Sequence, residues 1–191
     1  ESPGFQPLSK VMRKAGYDRI AEEEGCEVAD PRATAVLFYD GPCRFKRFEI
    51  SSAVFDADVI LNLPKFKTHA LTYITGAVKN LFGNTPSSIY GDDGPGEHAL
   101  KHRAAMFHGG RGKPPAGAPQ ELAHGMPNKG TVRVPRITAD IFGARPADLN
   151  IVEGIRSISG GEGHWNQGIA LVEPKLLIAG RNGVCTDAVC T

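Results

Sequence analysis

One segment of the chain gathers residue types that bind anions and move protons. Residues 62–69 read Asn-Leu-Pro-Lys-Phe-Lys-Thr-His, directly after a run of apolar residues. Lysine ammonium groups and a hydroxyl donate hydrogen bonds to phosphate, carboxylate or enolate oxygens. Lys65, Lys67 and Thr68 are therefore the predicted binding residues for a small anionic ligand. His69 is the predicted general acid or base, because histidine exchanges protons near neutral pH.

Three more residues are assigned to the same site. A helix expected over Leu71–Phe82 carries Lys79, which would stabilise developing negative charge, and Asn80, which would bind substrate. The start of that helix would add unpaired backbone N–H groups. Glu153 ends a later strand, where ligands of α/β folds bind, and is the second titratable candidate. The alternative interpretation is that the lysines are solvated and His69 caps a backbone group.

A glycine-rich loop follows Glu153. Residues 160–166 read Gly-Gly-Glu-Gly-His-Trp-Asn. Glycines let backbone N–H groups approach a ligand closely, and an indole ring stacks on planar molecules. The predicted substrate-binding residues here are Gly161, Gly163, Trp165 and Asn166. The alternative is a flexible connection, and the loop lacks the G-x-G-x-x-G arrangement of a dinucleotide site.

Two histidines offer a different chemistry. His98 and His102 are four residues apart in a helix expected over Glu97–His108, so their imidazoles would share one face. With His69 or His108 as a third ligand they would hold a divalent metal, and the alternative is a polar helix face. The four cysteines match no zinc or iron–sulfur spacing. No other cofactor is indicated.

Composition excludes several classes of protein. The 191 residues suit one domain, and a net charge of +1 argues against binding to nucleic acid or to an anionic membrane. No apolar run approaches the roughly 20 residues of a membrane helix, and no signal peptide is visible. We therefore expect a reduced, cytoplasmic protein. Glycine (23) and proline (14) are in excess, and they concentrate in an insertion at residues 109–130.

Apolar periodicity predicts helices alternating with strands. This alternation favours an α/β fold with a layered, mostly parallel central sheet flanked by helices and long Gly/Pro-rich loops. The continuous apolar run at Asp58–Leu63 is typical of a central strand buried on both faces. The other expected helices are Pro7–Glu24, Val134–Phe142 and a last one beginning near Thr186. The other expected strands are Cys26–Ala29, Thr34–Tyr39, Arg44–Ile50, Asp148–Val152 and Lys175–Ala179.

The chain resembles the domain of unknown function 362 family. Residues 58–69 are similar to its strand followed by N-x-P-K-x-K-T-H, and residues 75–83 to its T-G-A-x-K-N-x-x-G. Similar stretches downstream extend the resemblance over a single domain, 1–191, which we expect to be incomplete at both ends. His164 stands where family members tend to have proline, and the insertion at 109–130 is longer than the family pattern.

The resemblance also implies a redox link. Many members of that family carry or accompany ferredoxin-like iron–sulfur modules, whose cysteine pattern this chain lacks, so any cluster would belong to a ferredoxin-like partner or further domain. Three hypotheses follow. The first is an enzyme acting on a small anionic metabolite by redox or proton-transfer chemistry. The second is a non-catalytic electron-transfer or docking module, and the third is a metal-binding protein that uses the histidine cluster.

Overall fold

A computed structural model describes residues 8–29, 33–39, 47–85, 107, 127, 129–163 and 166–191. The helices in these ranges are α1 (Leu8–Ala15), α2 (Tyr17–Glu24), α3 (Ser52–Asp56), α4 (Ala77–Asn80), α5 (Gly130–Ala144) and α6 (Gly183–Val189), with a 3₁₀ turn at Leu81–Asn84. The strands are β1 (Thr34–Phe38), β2 (Arg47–Ser51), β3 (Leu61–Asn62), β4 (Lys67–His69), β5 (Tyr73–Thr75), β6 (Leu149–Gly154), β7 (Ser157–Ser159), β8 (Ala170–Val172) and β9 (Leu176–Gly180).

The strands form small sheets of mixed direction. The three-stranded sheet has the order β3-β6-β9, in which β3 runs parallel to β6 and β9 antiparallel to it. The described pairs β1–β2, β4–β5 and β7–β8 are all antiparallel. An α/β fold is therefore confirmed. A layered, mostly parallel central sheet is not confirmed, since β3–β6 is the one parallel pairing among the described strands.

The first predicted helix is interrupted. α1 and α2 occupy the expected range, but Gly16 adopts a left-handed conformation (φ 78°) and separates them. Gly25 (φ 65°) ends α2 as expected, and its N–H lies against the carbonyls of Ala21 and Glu22. The strand expected at Cys26–Ala29 is wrong, because those residues are irregular. Apolar spacing predicted the helical segments, whereas a glycine within the pattern decided where they break.

The segment leading into the predicted anion site is shorter and less buried than expected. Instead of a strand over Asp58–Leu63 that is covered on both faces, β3 spans two residues. Asn62 is 3% exposed, whereas Leu61 and Leu63 are 60% and 67% exposed. The amide of Asn62 therefore faces α4, whereas Leu61 and Leu63 on either side of it are exposed. Apolar composition alone could not reveal this orientation.

The main core lies against α5. The helix expected over Val134–Phe142 is confirmed and runs longer, with Pro135 inside it. Its apolar residues recur at helical spacing and pack against β2 and the 3₁₀ turn. Phe82 and Phe107 meet edge to face, with ring centroids 5.4 Å apart. The buried cluster comprises Ile50, Phe82, Phe107, Val134, Ile137 and Ile141.

The helix predicted over Leu71–Phe82 is wrong in its first half. β5 occupies residues 73–75, and α4 begins only after Gly76. The helix expected at Glu97–His108 and the insertion at 109–130 lie almost entirely outside the described residues. The late strands and the last helix are confirmed within a few residues of their expected bounds. None of the described helices combines the length and apolarity of a membrane span.

Candidate functional site

Five predicted site residues, Asn80 among them, line one cavity of about 740 Å³. Lys65, Lys67 and His69 are two residues apart in extended chain, so their side chains point to the same side. Lys79 joins them from α4. We call Lys65, Lys67, His69 and Lys79 the basic wall. Two separate segments thus bring three lysines and a histidine to the lining of one space.

The hydrogen bond that His69 accepts indicates which of its two ring nitrogens carries the proton. The backbone N–H of Leu71 donates to Nδ1 of His69 over 3.0 Å. Nδ1 is therefore the unprotonated nitrogen, and the proton of the neutral ring lies on Nε2. In this tautomer the neutral ring can donate a hydrogen bond through Nε2–H, whereas donation of a proton there requires the imidazolium, in which both nitrogens are protonated. It acts as a base there only if Nδ1 gains a proton and loses the Leu71 contact.

Lys65 is paired with Glu153, the second titratable candidate. Its Nζ forms an ion pair with Oε2 of Glu153. Backbone hydrogen bonds from Phe66 N–H to Glu153 O (2.8 Å) and from Glu153 N–H to Pro64 O (2.9 Å) hold the two segments together. The hydrogen bond from Lys65 is the main reason why the pKa of Glu153 is lowered. Glu153 therefore lies beside the basic wall and offsets the charge of one of its lysines.

Thr68 faces away from the basic wall and anchors the glycine-rich loop. Its Oγ1 accepts from the Gly161 N–H (2.9 Å) and donates to the Gly161 carbonyl (3.1 Å). Within the loop, Oδ1 of Asn166 accepts from the N–H groups of Glu162 and Gly163. A side chain at Gly161 (φ 146°) would collide with Asn166. These residues, predicted to bind substrate, use their polar groups to shape the loop.

The anchored loop brings in Glu162, which the sequence analysis did not select. Glu162 lines the same cavity as the basic wall. Its Oε2 accepts a hydrogen bond of 3.0 Å from the backbone N–H of Ala70, next to His69. Its position between Gly161 and Gly163 was a usable signal, because a charged residue flanked by glycines in a candidate loop is itself a candidate. Three lysines and one glutamate therefore surround the cavity.

Asn80 belongs to a chain of hydrogen-bonded amides, of which Asn62 and Asn150 are buried. Its Nδ2 donates to Oδ1 of Asn62 (2.7 Å), and Nδ2 of Asn62 donates to Oδ1 of Asn150 (2.8 Å) and to the carbonyl of Ala77 (2.8 Å). Asn150 in turn donates to the carbonyl of Gly180 over 3.1 Å. We call Asn62, Asn80 and Asn150 the amide chain. It ties β3, β6 and β9 to α4, so Asn80 both lines the cavity and holds the helix that carries Lys79.

The start of α4 is already occupied by a carboxylate. Asp187 of α6 accepts hydrogen bonds from the N–H groups of Ala77 (2.5 Å) and Val78 (2.9 Å). Burial raises the pKa of Asp187, and these two hydrogen bonds oppose that rise. The expected contribution of free N–H groups from this helix start is therefore wrong. The start of α6 is capped by Asn182, which accepts from the Cys185 N–H over 3.0 Å.

Gly76 makes the close approach of Asp187 possible. A Cβ at position 76 would lie 2.2 Å from Oδ1 of Asp187. The glycine that precedes α4 is therefore needed for space, so that a carboxylate from another helix can reach the N–H groups. This explains why glycine stands between Thr75 and Ala77 at this point in the motif.

The structure does not describe the remaining predicted residues, on which the metal hypothesis depends. His98, His102 and Trp165 lie outside the described residues. Among the residues that are described, no three histidine, cysteine, aspartate or glutamate side chains form a group that could hold a metal ion. Cys26, Cys185 and Cys190 are free thiols. The divalent-metal site therefore stays a prediction.

Comparison with known proteins identifies the family. The whole chain, residues 1–191, matches the family described as Domain of unknown function (DUF362). The chain belongs to the DUF362 family. The resemblance seen in the sequence is thereby confirmed, and the basic wall and the amide chain are built largely from that motif. No solved structure matches the chain.

A curated relative matches part of this DUF362 chain. It is the "Thylakoid-associated protein sll1697" of Synechocystis sp., and it is 47% identical over 89 residues. The match covers 47% of this chain and 27% of the relative, so the chain aligns with about a quarter of that longer protein. The thylakoid association in this name is a property of the relative. The cytoplasmic location of this chain stays a prediction.

Proposed function

We propose that this DUF362 chain binds a small anionic metabolite in the cavity lined by the basic wall. The observation that carries the proposal is the convergence of Lys65, Lys67 and Lys79 on one space from separate segments. Like charges that gather in this way repel one another, so an anion that enters between them is stabilised by all three. Glu153 partly offsets the charge of Lys65, and Nζ of Lys79 also lies 4.2 Å from the centre of the Phe82 ring.

The same site supports stabilisation of negative charge by His69. Because its Nδ1 accepts from Leu71, a neutral His69 carries its proton on Nε2. That donor would stabilise an oxyanion or enolate that forms on the bound metabolite, together with Lys79. A direct base role for Glu153 is less favoured, because Lys65 stabilises its charged form. Redox chemistry rests on the family resemblance and on a ferredoxin-like partner or domain.

Anion binding is tested by isothermal titration calorimetry with inorganic phosphate and, separately, malonate. We expect saturable binding of at least one of them at neutral pH. Lys67→Met should weaken it about tenfold, since one charge-assisted hydrogen bond is lost. Lys14→Met on the exposed side of α1 is the matched control and should leave the affinity unchanged.

Absence of binding by both anions, or equal losses in the Lys67 and Lys14 variants, would overturn the proposal. A loss of affinity for an acidic ferredoxin in the Lys67 variant, with no anion binding by the parent protein, would support the docking module instead. Metal analysis of protein purified without a histidine tag tests the third hypothesis, and a stoichiometric divalent metal would support it.

A further inference from the structure

The lining of the cavity has a second, apolar part. α1 contributes Leu8, Val11 and Met12, and Tyr17, Val28 and Val54 complete this part of the lining. We call these six residues the apolar wall. The space beside the basic wall is thus bounded by both charged and hydrocarbon groups, which is typical of a site that binds a molecule with two unlike ends.

The cavity is larger than a bare anion requires. Its volume of about 740 Å³ falls within the range of roughly 300–1,000 Å³ that is usual for pockets holding drug-sized ligands. Inorganic phosphate has five heavy atoms, so it would occupy only the part of this space nearest the lysines. A ligand that fills the remainder must extend along the apolar wall.

Within the described part of the chain, α1 has an apolar side that is not buried. None of its residues is buried, and Val11 is 36% exposed. Leu8, Val11 and Met12 are three and four residues apart, so they lie on one side of the helix. They are absent from the buried core against α5. A ligand that covers hydrocarbon exposed to water lowers the free energy of the complex, because apolar surface is removed from water.

We propose that the ligand is an amphiphilic anion, with a phosphate or carboxylate held by the basic wall and a hydrocarbon body against the apolar wall. The charged end rests on the proposed function above, and the apolar end is the new element. Three lysines against Glu162 leave the lining net positive, so the complementary end of the ligand is anionic. The ligand enters as a monomer, because its hydrocarbon part lies inside the cavity.

The proposal is tested by calorimetry with three probes: inorganic phosphate, hexyl phosphate and hexanol. Hexyl phosphate should bind about tenfold tighter than inorganic phosphate or better, because burying even part of the hexyl chain adds apolar contact. Hexanol should bind at least tenfold more weakly than hexyl phosphate. Vesicles of phosphatidylglycerol form a fourth arm, and no binding to them is expected.

Matched variants locate the apolar end. Met12→Gln keeps the length and the helix propensity of the side chain but removes its apolar character. It should reduce the preference for hexyl phosphate over phosphate several-fold and leave the phosphate affinity itself unchanged. Lys10→Gln, on the exposed side of the same helix, should leave both affinities unchanged.

The failures of the two proposals differ. Equal affinities for phosphate and hexyl phosphate would overturn the amphiphile and leave anion binding standing. No binding by either would overturn both. Hexanol binding as tightly as hexyl phosphate would remove the role of charge. Binding to vesicles without binding to monomeric hexyl phosphate would assign the surface to a membrane and overturn the monomeric ligand.

Discussion

The amide chain and the basic wall lie side by side in the sequence and satisfy their polar groups in opposite ways. Asn62 is buried, and its amide is hydrogen-bonded to three partners inside the protein. Lys67, five residues later, lines a cavity. A buried polar group that loses its partner costs more free energy than an exposed one. One motif therefore supplies residues of the amide chain, which supports the fold, and of the basic wall, which lines the cavity. Substitutions in each can separate the two roles.

The largest expected effect is on the amide chain. Asn62→Ala removes three hydrogen bonds and leaves polar groups of Ala77, Asn80 and Asn150 without them. We expect the free energy of unfolding to fall by about 3 kcal/mol. Urea denaturation followed by circular dichroism measures it.

Gln167→Ala in an exposed turn is the control for Asn62→Ala, and it should change the free energy of unfolding by less than about 0.5 kcal/mol. Weaker phosphate binding without a loss of stability in Asn62→Ala would break the comparison. It would make the amide chain part of the binding site.

The next effect concerns the carboxylate that caps α4. Gly76→Ala should destabilise the protein by about 2 kcal/mol, because the new Cβ displaces Asp187 from its hydrogen bonds. In an Asp187→Ala background the same change should cost less than about 1 kcal/mol, since the obstruction is gone. Urea denaturation of the parent protein, the two single variants and the double variant gives the free energies of unfolding for this double-mutant cycle. Additive costs would contradict the steric explanation.

The smallest effect on stability, and a gain in binding, is expected for Glu153→Gln. Removing this carboxylate leaves the charge of Lys65 uncompensated, so phosphate affinity should rise by about threefold while stability changes by less than about 0.5 kcal/mol. Glu173→Gln is the control, because Glu173 pairs with Arg156 and Lys175 instead. Calorimetry measures the affinity. Weaker phosphate binding in Glu153→Gln would make that carboxylate a direct participant in the site.

The ion pair between Lys65 and Glu153 should make the stability of the protein depend on pH. The lowered pKa of Glu153 means that the folded protein favours the carboxylate more than the unfolded chain does. Its contribution to stability is present above the ordinary carboxyl pKa and is lost as pH falls through the lowered value. Thermal unfolding of the parent protein should therefore show a small decline in that acidic window that Glu153→Gln lacks.

Local pattern was enough for much of the fold and for the part of the basic wall formed by Lys65, Lys67 and His69. Helical spacing predicted α5, and the glycine at position 25 predicted the end of α2. The alternation of Lys65, Lys67 and His69 follows from two-residue periodicity once the chain is extended. The same periodicity turns Thr68 to the other side, although its type alone had suggested a binding role. The spacing alone therefore predicted that Lys65, Lys67 and His69 lie on one side of the chain and Thr68 on the other.

Residue order by itself determined the family, the segments that carry charge and the alternation that sorts them. Only the tertiary structure decided that Glu153 pairs with Lys65, that Asp187 occupies the start of α4 and that α1 contributes the apolar wall. Each of these contacts joins residues far apart in the chain. Their pairing depends on how sheet and helices pack, which no local propensity specifies.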